Sequence, residues 1–122
     1  MMESVTELTT FLADVATGVW RLRQRFLQPG SDQPREELRR AYRDVEALWD
    51  TLSGAGLEIL DHTGALYEPG QSLKVLAFQP TPGIDRERVL ETIKPTVYLQ
   101  SEWLQMGEVI VATPSHQEDR QT

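Results

Sequence analysis

The apolar positions at the start of the chain recur at a fixed spacing. Val5, Leu8, Leu12, Val15, Val19, Leu22 and Phe26 are separated by 3, 4, 3, 4, 3 and 4 residues. That alternation is the a/d seam of a heptad helix. Ser4 with Glu7 predicts a capping box at its start, and Pro29-Gly30 predicts its end. A helix of this length spans roughly 33 Å at about 1.5 Å per residue.

A second helix is expected from the segment SDQPREE, residues 31–37. Pro34 is tolerated in a first helical turn, and Glu36 and Glu37 complement the positive end of the helix dipole. Leu38, then Tyr42 or Ala41, Val45, Trp49 or Leu48, and Leu52 continue the heptad spacing until Ser53-Gly54-Ala55-Gly56 stops it. The short link at residues 28–33 makes the two helices antiparallel. A two-helix hairpin covers only one face of each helix. Phe11, Trp20 and Leu48 widen the apolar stripe, which favours a second hairpin as the cover. Two hairpins related by a twofold axis form a closed four-helix bundle. The dimer seam is expected to use Leu8, Leu12, Val15, Val19, Leu22, Val45, Trp49 and Leu52.

From Gly56 the period changes. LEIL at 57–60 and LKVLAF at 73–78 are strand-like, DHTGALYEPG and QPTPGIDRE are turn-rich, RVLETIKPTVYL alternates loosely, and EVIVATP ends the pattern. Within LQSEWLQMGEVIVATP, residues 99–114, a tight turn runs into a strand, with Glu102 and Trp103 near its tip. The fold class expected is α+β: a two-helix hairpin over residues 4–55, then a small all-β wing over 56–113. The polar segment at 114–122 has nothing to bury and is expected to be disordered.

Composition narrows the chemistry. The chain of 122 residues has no cysteine, so disulfides and thiolate metal sites are excluded. Its apolar runs are too short to span a bilayer, and MMESVTE lacks a basic leader segment. A cytoplasmic protein is expected, without a membrane partner. The net charge of −7 is uneven: seven Arg and six acids in residues 1–43 give +1, and five cations against thirteen acids in 44–122 give −8. The arginines interleave with apolar helix positions, as on a solvated helix face, so a nucleic-acid partner is not expected. His62 and His116 lie apart in the chain, and no glycine-rich phosphate loop precedes a helix. Asp61-His62-Thr63, and Asp85 with Glu87, fit turns that use polar side chains for their own backbone. No catalytic residue, metal site or cofactor is expected, and the chain is not expected to be an enzyme.

The order of elements resembles the C-terminal two thirds of GrpE-type nucleotide exchange factors, which act on DnaK-type chaperones. Gly56-Leu57-Glu58 is similar to that family's Gly-Val-Glu after its helices, and Tyr67-Glu68-Pro69 to its Phe-Asp-Pro. Val89-Leu90, Leu99, Leu104, Val109 and Val111 match its last apolar framework without a gap. The likeness covers about residues 5–113. Three features depart from it. Ser72 stands where the family has His, Thr96-Val97 replace Gly-Tyr, and Ser101-Glu102 with Gln105 replace Gly-Arg and a second Arg. The family's long N-terminal helix also has no counterpart in the chain.

The resemblance implies a homodimer that binds the ATPase domain of a DnaK-type chaperone, or a divergent relative, and promotes nucleotide release. It implies a partner-binding surface at Gln100, Ser101, Glu102, Trp103 and Val111. An acid in place of the wing arginine implies a basic patch on the partner. The alternative is a dimeric helical-hairpin adaptor whose wing binds an unrelated protein. Trp103 then either meets that partner or packs on the wing's own core. A small-ligand-binding β domain would need a deep apolar pocket.

Overall fold

The computed structural model describes residues 2–115, with side chains from Val5 onward. The fold is α+β, as expected. Helix α1 runs Met2–Phe26 and helix α2 runs Arg39–Gly54. Six strands follow: β1 Leu57–Leu60, β2 Leu73–Thr81, β3 Arg88–Lys94, β4 Thr96–Leu99, β5 Glu102–Gln105 and β6 Gly107–Pro114. They form two three-stranded sheets, ordered β1-β4-β5 and β2-β6-β3. The expected disordered segment falls from residue 116 onward outside the described residues, and Pro114 closes β6.

The chain divides into two compact units, Met1–Ile59 with Val97–Gln105, and Leu60–Thr96 with Met106–Thr122. The hairpin of β4 and β5 therefore groups with the helices. The second sheet is a unit of its own.

In the first unit, α1 buries a stripe adjacent to its heptad seam. Ala13, Ala16, Thr17 and Trp20 are buried. They recur at helical spacing on one face, and the small residues let neighbouring elements approach closely. Ala16, Leu57 and Val97 form one core cluster, lined by Leu52, Ile59, Leu99 and Leu104. A second cluster joins Leu27, Tyr42 and Val45, with Phe26 against it. The seam itself is mostly open: Val5, Leu8, Val15 and Leu22 are exposed.

The start of α2 differs from the sequence expectation. Leu27 and Pro34 form an isolated bridge, Gln28 N–H donates to Gln33 O, and Arg35 N–H donates to Phe26 O. These bonds hold the chain extended through Arg35, at φ −62° and ψ 141°. Pro34 thus belongs to the loop, and a 3-10 turn at Glu36–Leu38 leads into α2.

In the second unit β6 is central. It runs parallel to β2 and antiparallel to β3. Val109 and Val111 are fully buried and pack with Val89, flanked by Tyr67, Leu73 and Val75. A central strand covered on both edges favours such β-branched residues. The register slips at Leu76 on β2 and at both Leu90 and Ile93 on β3. RVLETIKPTVYL is two strands, because Pro95 between them lacks the N–H a ladder needs.

Candidate partner-binding surface at the hairpin tip

The turn between β4 and β5 has two residues, Gln100 and Ser101, with Leu99 paired to Glu102 across it. Both turn residues have positive φ, 48° and 69°. Two consecutive left-handed residues make a type I′ turn, whose twist matches that of the paired strands. The usual occupants are Asn and Gly; Gln-Ser holds the same shape at a steric cost.

The tip is fixed from below. Gly56, at φ 95°, accepts the Gln100 N–H at 2.8 Å. A Cβ on Gly56 would lie 2.7 Å from Gln100 Cγ, so only glycine fits beneath the turn. At the other end of the hairpin Gln105 Nε2 donates to Thr17 Oγ1 of α1 at 2.9 Å. Between these two anchors a bulge at Leu104 shifts the register, and Leu104 packs on the Ala16 cluster. Trp103 pairs with Tyr98 and is 51% exposed. Glu102 beside it is exposed. The tip thus offers a half-open indole and a carboxylate on a fixed turn.

Gln100, Ser101, Glu102 and Trp103 are brought together as expected from their adjacency. Val111 does not join them. It is fully buried in the core of the second unit, on the strand face that packs with Val89, and has no surface to offer.

The residues expected in a dimer seam also divide. Leu8, Val15 and Leu22 of α1 are exposed, while Leu12 and Val19 are half-buried. On α2, Val45 is buried against Leu27 and Tyr42, and Leu52 packs on the Ala16 cluster. Trp49 lies beneath Arg23, whose guanidinium carbon is 4.8 Å from the ring centroid. The α2 half of the seam is therefore used within the chain.

Arg23 belongs to a network that the apolar periodicity did not reveal. Its Nε donates to Glu46 Oε1 at 2.9 Å, and the Tyr42 hydroxyl donates to the same oxygen at 2.6 Å. Burial, followed by the bond to Glu46, pushes the Tyr42 phenol up to about 12. The Tyr42 hydroxyl bond holds the Glu46 carboxyl below its ordinary range, with Arg23 acting the same way and burial opposing both. The network ties α1 to α2 through charge-assisted bonds. Opposite charges on facing antiparallel helices were its only sequence signal.

Among the described residues no cluster of three or more His, Asp or Glu side chains could hold a metal ion. No described helix is long and apolar enough to cross a membrane. No family model and no curated protein matches the chain.

Proposed function

We propose that this chain is a GrpE-like co-chaperone of the cytoplasm, a homodimer whose hairpin tip binds the ATPase domain of a DnaK-type chaperone and promotes nucleotide release. The observation that carries the reading is Trp103, 51% exposed beside Glu102 on a rigidly held turn. Large aromatics at the centre of an interface supply much of its binding energy. A preformed tip also loses little conformational freedom on docking. Binding that favours an open-cleft state of the partner weakens its hold on nucleotide by the same factor, because the two equilibria are linked.

The open seam of α1 supports the dimer. Val5, Leu8, Val15 and Leu22 present the exposed part of a regular a/d stripe. A second copy would cover that stripe and leave both tips free. The α2 contribution proposed here is limited to Leu48, 49% exposed, since Val45 and Leu52 are occupied.

A second reading, the adaptor without exchange activity, is favoured by Glu102 standing where the resembled family has arginine. Release of a fluorescent nucleotide from a co-occurring DnaK-type chaperone separates the two. The expected result is acceleration by the unmodified chain and a roughly thirtyfold weaker effect with Trp103→Ala, equivalent to about 2 kcal/mol. Glu102→Arg should weaken binding to a partner that is basic at that place. No acceleration, with Trp103-dependent capture of some other protein, supports the adaptor. No effect of either substitution on any partner removes the tip as a binding site.

A further inference from the structure

The second unit contains a polar cluster that neither its apolar core nor the hairpin tip explains. His62 Nε2 lies 2.7 Å from Thr96 Oγ1. The Gly107 N–H donates to that same hydroxyl oxygen at 3.1 Å. Thr92 Oγ1 accepts the His62 backbone N–H at 3.1 Å and the Thr63 hydroxyl at 2.9 Å. Space is as tight as the bonding. A Cβ on Gly107 would fall 2.6 Å from Thr96 Oγ1, 3.1 Å from Leu73 Cδ2 and 3.2 Å from His62 Cδ2.

The donors and acceptors fix the state of the ring. Thr96 is 3% exposed, so water does not serve its hydroxyl. One lone pair of Oγ1 is taken by Gly107 N–H. The hydroxyl proton needs an acceptor, and among the described hydrogen bonds His62 Nε2 is the one within reach. A ring that accepts at Nε2 is neutral, with its own proton on Nδ1. The three cluster members also mark the three places where the chain passes between the compact units. These passages fall after Ile59, after Thr96 and after Gln105.

We propose that His62, Thr96 and Gly107 form an acid-released latch on the entry and exit points of the second unit. A proton added at Nε2 uses the lone pair that accepted the Thr96 hydroxyl. Nε2–H and O–H then face each other as two donors. Either the ring turns away, or the Thr96 O–H rotates off it and is left buried without that acceptor. Both outcomes weaken the site that holds the Gly107 N–H at the start of β6.

The charged surroundings leave this step to His62. Asp61 adjoins it, and its Oδ1 accepts the Thr63 N–H at 2.9 Å. On the strands packed against the ring, Glu108 of β6 pairs with Lys74 of β2 and Lys94 of β3, and Glu91 pairs with Ile110. Strand alternation turns Glu108 and Ile110 to the face opposite Val109 and Gly107. Those four charges thus lie on the far side of the sheet. Burial lowers the imidazole's affinity for a proton, and the Asp61 charge opposes that effect in part. The neutral ring's contribution is therefore complete above the ordinary imidazole value of about 6.5 and is lost as pH falls below it.

Two measurements on the whole chain test the latch. Nitrogen NMR of the His62 ring should show the Nδ1–H tautomer at pH 7.5 and a protonation midpoint below that of a histidine in an unstructured peptide. Amide exchange at Gly107, corrected for its intrinsic pH dependence, should lose protection through the same midpoint. The loss should reach about tenfold for each pH unit by which that midpoint is lowered. In His62→Gln the side-chain carbonyl can still accept from Thr96, so Gly107 protection should stay flat with pH. Thr96→Ser should keep the wild-type profile. An Nε2–H tautomer, a midpoint at or above the peptide value, or the same pH-dependent loss in His62→Gln would overturn the proposal. The tautomer and midpoint need no substitution, so a variant that fails to fold does not shield it.

Discussion

The two units of this molecule solve the problem of a small core in different ways. The Val89, Val109 and Val111 cluster of the second unit is closed by β2, β3 and the segment around Tyr67. Both units also leave large apolar side chains open: Leu76, Phe78, Leu90 and Met106 in the second, and Val5, Leu8, Phe11, Val15, Leu22, Leu48 and Trp103 in the first. Scattered apolar side chains are ordinary on a protein surface, but a regular stripe along a helix together with an open indole is not. The difference lies in the order of the open side chains, which in the first unit follow a helix seam.

The strongest way to break the contrast is a charge in the closed core. Val109→Asp places an unpaired carboxylate at a fully buried position. A cost of several kcal/mol is expected. Amide exchange should show protection lost across β2, β3 and β6, and it should persist in α1 and α2. Equal loss in both units would show that they fold as one.

The next test concerns the open seam. Leu8→Asp alters a side chain that is 57% exposed in the single chain. In a twofold pair it occurs twice, at about 2 kcal/mol each, so the dimer Kd should rise roughly a thousandfold. Sedimentation should show a dimer for the unmodified chain and a monomer for the variant, with helicity retained. A monomeric unmodified chain at tens of micromolar would remove the dimer.

A smaller effect is expected at the link between the helices. Arg23→Ala removes one ion pair and the contact over Trp49, for about 1 kcal/mol in a denaturant melt. The same network gives a pH signature. Glu46 is held below its ordinary range, so its contribution is present above that range and lost as pH falls through it. Tyr42 stands at about 12, so the contribution of its neutral phenol is complete below about 10 and lost as pH rises toward 12. Arg23→Ala should make the acid limb shallower, and Tyr42→Phe, which removes the larger cause, should do so more.

The smallest effect should be a gain. Ser101 sits at φ 69° without a glycine's freedom. Ser101→Gly should stabilise the hairpin by about 0.5 kcal/mol, read as a higher denaturant midpoint.

Much of the local structure was written in the spacing of residues. The heptad run made α1 unavoidable, Pro29-Gly30 ended it, and the change of period at Gly56 marked the move to strands. The four adjacent tip residues were legible because a turn between two apolar strands must expose them. Val111 was placed wrongly, because alternation names two faces of a strand and does not say which is covered. Only the β2-β6-β3 order buries it.

The elements, their order and the α+β class follow from local periodicity and from glycine and proline chemistry. Tertiary structure decided which stripe of α1 goes inside. A heptad seam and an Ala13-Ala16-Thr17-Trp20 stripe are both apolar enough to bury, and the packing of Ala16 with Leu57 and Val97 goes with the second. It also decided that Gly56 would carry Gln100, that Glu46 would serve both Tyr42 and Arg23, and that His62 would meet Thr96, 34 residues away. Such pairings join positions remote in the chain through hydrogen-bond geometry and steric fit, and neither leaves a period in the sequence.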